Sequence, residues 1–592
     1  MQKGPVFLVI CAVLFFSMPA ADTSHAQTVY TVTHTGNSGA GSLQAGLYDP
    51  APTILFDIPV TDPGYDPVNR VWVIKPETPY HVPAGKIIDG RMAREGGGIR
   101  PGIVFDGAIL GQAGSTGIYL NVGAVLRGLV IHSCGYGIWV SKSDVTITDC
   151  HIGTDASGMV AKPNNIDGVL LIHGAQNAYL EANLVSGNGA SGIRISGSAT
   201  GFCTVVNNRI GTNADGSAAI PNTADGVSIH ANAKSNFIEG NLISGNNWNG
   251  ITVSGDSTSG NNIRGNKIGT NLAGDAALGN GNAGIVIEGG STHTLIEENL
   301  VSGNSNIGIH LKDAGTHFNL IRCNRIGCDA AGTAAIPNVN FGIALFNGPC
   351  HNVIGRENII AFNGKTGVLM DGAGSLTGTI GNTITRNAIF ANGSEGIRNF
   401  RGGNSELTPP LLTGVSATEV SGTTVAGQIV EVFADENGQG KVFLGSTVAD
   451  FSGDFTLSLS TPPTLPQITA TAADYMGSTS AFSIPMATAI RPGTAEHETP
   501  NRYRLRQNYP NPFNPVTHLQ YELPRAGDVL VAIYDRTGRL LRRLVDCHQP
   551  AGIYLIQWNA TDDNGTPAAA GLYFCTLRAG RFEQRIKVTL VR

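Results

Sequence analysis

The sequence predicts an all-β chain, a long solenoid of short parallel strands followed by two small β-sandwiches. Three observations lead there. The dipeptide Ile-Gly recurs at Ile152, Ile210, Ile268 and Ile326, at one constant interval. A second marker, Gly followed by Ile or Val, begins at Gly117 and continues through Gly137, Gly168, Gly192, Gly226, Gly250, Gly284, Gly308, Gly342, Gly367 and Gly396, and its central spacings alternate strictly between a short interval and a long one. Each repeat is then two turns of a solenoid, one compact and one carrying an insertion, and coils built this way stack only on their neighbours. Composition agrees: 78 of 592 residues are glycine and 14% are charged, where ordinary domains have ~7% glycine and ~25% charge. Many tight turns joining short, mostly apolar strands need such a mixture.

In chain order, Lys3, the apolar stretch Val6–Phe16 and the small-residue pattern Ser24-His25-Ala26 mark residues 1–26 as a signal peptide, cleaved between Ala26 and Gln27. The apolar stretch is too short to span a bilayer, and no later run reaches the ~20 apolar residues of a membrane helix. Export, with no transmembrane helix in the mature chain, is the expectation. A formal charge of −6 offers no footprint for nucleic acid. The cysteines beyond the signal show no metal-ligand spacing, and Cys547 with Cys575, both in the last domain, is the pair best placed to bridge.

Residues 27–402 carry the coils. After each marker glycine the residues at +1 and +3 are apolar, as in Ile138 and Val140, Ile193 and Ile195, or Ile285 and Ile287. Alternation with period two is a half-buried strand, and repeating it coil upon coil predicts a parallel sheet with an aliphatic interior. Eleven marker strands at ~4.8 Å give a rod of roughly 50 Å. The pattern fails where Ile397 is followed by Asn399, so the solenoid should end near residue 402. A second strand of each coil leads to Asn183, Asn208, Asn241, Asn266, Asn299, Asn324, Asn358 and Asn387. Stacked amides can hydrogen-bond along such a row, so these asparagines form a structural ladder. Farther on in each coil, at a fixed offset, lies another polar series, Asp155, Asn188, Asn213, Asn246, Asn271, Asn304, Asp329, Asn363 and Asn392, which should stack along the rod in the same way.

Apolar alternation, asparagine ladders and Gly-Ile strand starts resemble the right-handed parallel β-helix, the fold of pectate lyases, other polysaccharide lyases and epimerases, and several phage and bacterial surface proteins. The opening Thr31–Leu43 and the phrases Asn241–Asn246 and Arg209–Asn213 are similar to repeat-rich bacterial members. The resemblance implies the fold and leaves the activity open.

Residues 403–486 replace the ladder with short alternating strands such as Gln428–Phe433 and Gly453–Leu459, an immunoglobulin-like β-sandwich acting as a spacer. A linker rich in Pro, Thr and charge spans 487–501. From 502 to 592 the run Leu505-Arg-Gln-Asn-Tyr-Pro-Asn-Pro-Phe-Asn-Pro-Val-Thr517, with Tyr521–Pro524, Ile533–Arg539, Gly571–Tyr573 and the basic end Arg585–Arg592, closely resembles the C-terminal sorting domain of type IX secretion cargo, itself similar to a flagellar hook-capping immunoglobulin-like domain. That resemblance implies the type IX secretion machinery as a partner, a cell-surface or secreted destination, and a last strand accessible for recognition.

Function belongs to the outward positions +2 and +4 of each marker strand. Tyr119 and Trp139 fall on successive coils, where sugar rings could lie against aromatic faces, and Arg194 follows in the same row. Farther along, Glu288 and Lys312 take equivalent positions of adjacent coils, with His310 on the same strand as Lys312. An acid, a base and a cation close together suit β-elimination, epimerisation or glycoside hydrolysis; the same residues also make a plain cross-strand ion pair. The insertions at Asp155, Asn213, Asn271 and Asp329 hold too few carboxylates for a calcium site and read as turns, so no metal and no cofactor is expected. The combined expectation is an exported protein that binds or scaffolds on polysaccharide or another cell-surface component, with a polysaccharide lyase or epimerase, and a structural or adhesive repeat protein, as the alternatives.

Overall fold

The computed structural model describes residues 29–488 apart from 94–98, 111–114 and 374–377, and residues 500–591 apart from 501, 509–510, 516 and 564–565. The signal segment with its Ala26–Gln27 junction, and residues 489–499 and 501 of the linker, lie outside the described residues.

β-Branched residues at every second position stack in register. Among the described residues the solenoid has three long sheets of 12, 13 and 13 strands. The marker sheet pairs Ile118 with Ile138, then Val169, Ile193 and Val227, without a slip. Its side chains at +1 and +3 join one aliphatic core that runs from Val32 to Ile397. Along each coil the chain passes from the marker sheet to a second sheet, turns a corner that holds an asparagine from Asn183 onward, crosses a third sheet and returns. The marker sheet holds one strand more than the markers count, because Tyr80–Val82 pairs with Ile118–Leu120 although proline, not glycine, precedes it.

The Ile-Gly motif has a steric cause. Gly153 has φ +89°, and a Cβ there would run into the carbonyl oxygen of Ser186 on the next coil. A left-handed backbone and a neighbouring carbonyl both demand glycine.

Asparagines turn the corners. Asn208 is typical: its Oδ1 accepts from the Asn183 N–H and Nδ2 at 2.9 Å, while its own Nδ2 donates to Asn241 Oδ1 at 3.0 Å. The row continues through Asn266, Asn299, Asn324 and Asn358 to Asn387. The second polar series is corrected by the structure. Its ladder runs Asn164, Asn188, Asn222, Asn246, Asn280, Asn304, Asn338, Asn363, Asn392. In long coils the ladder residue is therefore the one after the insertion. Asp155, Asn213, Asn271 and Asp329 instead close the insertion turns, as when Asn271 Oδ1 accepts from the Gly274 and Asp275 N–H groups. A third ladder, unforeseen, links Asn319, Asn352, Asn382 and Asn404.

The insertion turns also stack on one another. Ala214 N–H donates to Gly158 O at 2.9 Å, Leu272 N–H to Gly216 O at 3.1 Å and Ala330 N–H to Gly274 O at 3.0 Å. This stack lies over Leu184, Leu242 and Leu300, outward residues of the third sheet that it buries.

The sandwich after the solenoid packs a sheet of three strands, Leu411–Val415, Glu419–Thr423 and Asp454–Ser458, against one of four. It caps the last coil. Gln439 Oε1 accepts from the Asn392 N–H at 2.9 Å, and its Nε2 donates to Asn392 O at 2.9 Å and Ser394 O at 2.6 Å. A sandwich glutamine thus continues the second ladder by one rung, and Thr479 Oγ1 likewise accepts from the Ile384 N–H.

The C-terminal unit, by itself, is a second sandwich of three and four strands around Trp558, Tyr521 and Phe513. One expectation changes here. Cys575 is buried and Cys547 exposed, each unbridged, because they face different surroundings from strands on opposite sides of Gly527–Tyr534. The terminal strand Phe582–Leu590 keeps Glu583, Arg585 and Lys587 exposed, while the C-terminal part of its outer edge is bonded by the Asn-Pro segment. Gln507 Nε2 and Asn511 Nδ2 donate to Lys587 O at 2.6 and 3.2 Å, Asn511 Oδ1 accepts from the Thr589 N–H at 2.8 Å, and Phe513 bonds Thr589 and Val591 through its backbone. The Asn-Pro motif is the edge guard of the last strand.

Among the described residues no helix is long and apolar enough to cross a membrane.

Candidate functional site

The marker sheet presents its outward side chains at +2 in one continuous row, Tyr119, Trp139, Leu170, Arg194 and Ser228 in successive coils. His81, not foreseen because its strand lacks the glycine marker, precedes Tyr119. The His81 and Tyr119 rings stack at 4.6 Å and 3°, and Trp139 leans toward Tyr119 at 6.0 Å and 46°. Tyr136 meets Trp139 edge to face at 5.2 Å, and His173 stands 6.0 Å away. One face of Tyr119 is thus given to His81. Trp139 is the ring held by edges and tilted neighbours.

Leu170, although outward, is buried, and Arg194 follows it. The Arg194 guanidinium grips Asp167 with Nε and Nη2, both at 2.9 Å. The Asp167 side chain is fully buried while a third of Arg194 stays exposed. Burial pushes the Asp167 carboxyl above the usual carboxylate range, opposed by the charge of Arg194 and the Ser191 N–H. Beside them Ser196 Oγ lies 3.3 Å from His230 Nδ1. Burial, and then Arg194, lower the His230 pKa. Asp225 repeats the position of Asp167 two coils on and is likewise raised by burial. Sequence reading missed both carboxylates because they precede the marker glycine rather than follow it; their matching place before Gly168 and Gly226 was the available signal.

Glu288 and Lys312 are brought together, Nζ to Oε2 at 2.6 Å. His310 lies in the adjacent row but is largely taken out of solvent. Its ring meets Phe346 edge to face at 5.2 Å, next to an outer apolar cluster of Ala283, Val286, Ile307, Ala344 and Leu369 with Phe341 and Phe346. Burial, then the charge of Lys312, push its pKa down to about 4. His310 Nε2 is buried without a protein hydrogen-bond partner. The outward row is therefore not uniformly exposed, since the return turns fold apolar side chains over its later coils.

The marker face can do two things chemically. Its early coils offer aromatic edges and faces followed by a cation. Its later coils hold an ion pair next to a neutral imidazole.

The right handed beta helix region family matches residues 103–268 and 163–326, and the FlgD Ig-like domain family matches residues 516–581. Residues 103–326 are accordingly a right-handed β-helix region. No curated protein matches the chain. Among solved structures, the A-module of mannuronan C-5 epimerase AlgE6 of Azotobacter vinelandii is 14% identical, with a TM-score of 0.42, covering 62% of this chain and 99% of its own. The periplasmic alginate epimerase AlgG is 14% identical, with a TM-score of 0.37, covering 57% and 78%. Pectate lyase Pel9A is 15% identical, with a TM-score of 0.28, covering 54% and 76%. At these scores neither substrate nor reaction carries over to this chain.

Proposed function

We propose that this chain is an exported β-helix protein that binds an extended extracellular polysaccharide along its marker face, and that its C-terminal domain addresses it to a type IX secretion route. The observation that carries the binding reading is the row His81, Tyr119, Trp139 and, two coils beyond, Arg194. Successive coils are spaced ~4.8 Å apart, close to the rise of a sugar unit along an extended chain, so one chain could touch aromatic and cationic side chains in turn. Rings with one apolar body and a polar edge suit sugars, and the partly exposed guanidinium suits an acidic or hydroxylated unit. Affinity electrophoresis of the mature protein through gels containing polygalacturonate, alginate or neutral glucans tests this. Retardation by at least one of them, weakened about tenfold by Trp139→Ala, is expected; equal mobility in every gel overturns it.

A polysaccharide lyase or epimerase is the second reading, favoured by the neutral His310 beside the Glu288–Lys312 pair. A pKa near 4 keeps this imidazole unprotonated at pH 7, with its nitrogen free to act as an acceptor but as a weaker base than an ordinary histidine. Release of unsaturated ends, or a change of uronate configuration detected by NMR, would support it.

A further inference from the structure

A corner beside a different sheet has no part in the reading above. Just before the second-sheet strands Leu295–Glu297, Leu320–Arg322 and Val353–Gly355, the chain turns through His293, Phe318 and His351, left-handed residues with φ of +53° to +56°. His317 sits in register with Thr292 before it and Cys350 after it. Three successive coils, ~4.8 Å apart, therefore bring three imidazoles to one edge. Phe318, 53% exposed, stands among them, its ring centroid 4.6 Å from His317, 5.5 Å from His293 and 6.1 Å from His351. His293 and His351 are exposed as well.

The charged groups on the neighbouring elements are engaged elsewhere. Among the described residues the histidines paired with carboxylates are His132 and His548, both outside this corner. Glu288 holds Lys312, and Glu297 holds Arg322. Asp313 lies toward the marker strand, where His310 feels its charge. Asp474 belongs to the sandwich loop whose Met476 carbonyl reaches Gly381 beside His351, and its Oδ1 accepts from the Met476 and Ser478 N–H groups. Lys234 stands three coils before His317 in the same row.

In His317, Nδ1 lies 2.7 Å from Gly315 O. A carbonyl only accepts, so Nδ1 carries the hydrogen and an added proton goes to Nε2. Burial, then the charges of His293 and His351, hold the His317 pKa below the ordinary imidazole value. Between about pH 7 and 5 exposed imidazoles become charged, and each then offers two N–H donors. The Phe318 ring attracts such cations weakly, which leaves three like charges without a counter-ion. They do not converge on one point, since among the described residues no three His, Cys, Asp or Glu side chains are placed to hold a metal ion. Charges strung along successive coils instead match anionic groups strung along a chain. At neutral pH the imidazoles lose their charge, and the formal charge of −6 on the whole molecule repels polyanions.

We propose that this corner binds an acidic polysaccharide bearing sulfate esters or carboxylates, holding it in mildly acidic surroundings and releasing it near neutrality. The site rests on no part of the marker-face reading.

Fluorescence anisotropy of labelled dextran sulfate and labelled polygalacturonate, titrated with the mature protein at constant ionic strength, tests this at pH 5 and pH 8. His293→Asn, His317→Gln and His351→Asn together remove the charge of the corner, and asparagine tolerates the left-handed backbone. His497→Gln, His518→Gln and His548→Gln together remove as many imidazoles from the linker and the C-terminal domain, a control for net charge. At least one polymer should bind at least tenfold tighter at pH 5 than at pH 8. At pH 5 that binding should weaken at least fivefold in the corner variant, under twofold in the control, and stay unchanged in Trp139→Ala. Dextran sulfate alone assigns the partner to sulfate esters, polygalacturonate alone to carboxylates, and both to acidic chains of either kind. No binding at pH 5, equal affinity at the two pH values, or equal losses in the corner and control variants would overturn the site. Loss in Trp139→Ala would transfer the binding to the marker face and overturn the corner, so the two readings fail separately.

Discussion

At the scale of single residues, environment decides what a named side chain can do. His310 occupies an outward position, yet Phe346 and the apolar cluster beside it deny the imidazolium its solvation. A histidine whose pKa is about 4 when folded and ~6.5 when unfolded binds fewer protons in the native state across that interval. Its contribution is fully present above pH 6.5 and declines as pH falls toward 4, by as much as about 3 kcal/mol. Urea midpoints of wild type and His310→Gln compared at pH 7 and pH 4.5 should show a smaller acid-side loss in the variant; identical losses would mean that the ring is not desolvated. The Glu288–Lys312 pair is different. Both side chains are partly exposed, and such pairs contribute under ~1 kcal/mol. Lys312→Ala should therefore barely move the melting temperature, and if the chain is a lyase or epimerase acting here it should abolish turnover. Full activity in that variant would place the chemistry elsewhere.

At the scale of one coil, the corners hold the register. Within a single long coil, Asn280 is buried and bonds Asn246, Ile243 and Asn304, whereas Asn271 closes an insertion turn that reaches solvent. Removing the former leaves buried backbone and side-chain groups unpaired at ~1–3 kcal/mol each, while water can replace the latter. Asn280→Ala should lower stability by about 2 kcal/mol or more and Asn271→Ala by under ~1 kcal/mol, measured by urea denaturation. The reverse order would return the ladder to Asn271 and its counterparts in the other long coils. Inward apolar positions and the first ladder were legible because each recurs at constant offset from a marker. The second ladder was misplaced in the long coils because counting from the corner ignores that the inserted segment bulges out before the ladder resumes.

For the whole molecule, the capping of the solenoid matters most. Coils draw stability from their neighbours, so the last one needs a partner, and Gln439 supplies it. Gln439→Ala should speed amide exchange at Ile389 and Asn392, and a chain ending at residue 402 should fray further, while a chain ending at 486 keeps the cap and exchanges like the full protein. Equal exchange in all three would make the sandwich the mere spacer its sequence suggests. Deleting 502–592 should leave the solenoid folded and, in the native host, keep the protein from the surface; normal display of the truncated chain on fractionation would sink the sorting role. The sequence by itself determined the solenoid, its aliphatic interior and the two sandwiches, because these follow from short-range periodicity and need only neighbours at fixed spacing. Tertiary structure alone decided that Asp167 is buried under Arg194, that the insertions roof the third sheet, that the sandwich caps the rod and that the Asn-Pro motif bonds the outer edge of the last strand. Each of those depends on which side chains from distant parts of the chain remove a group from water, a relation that no local spacing encodes.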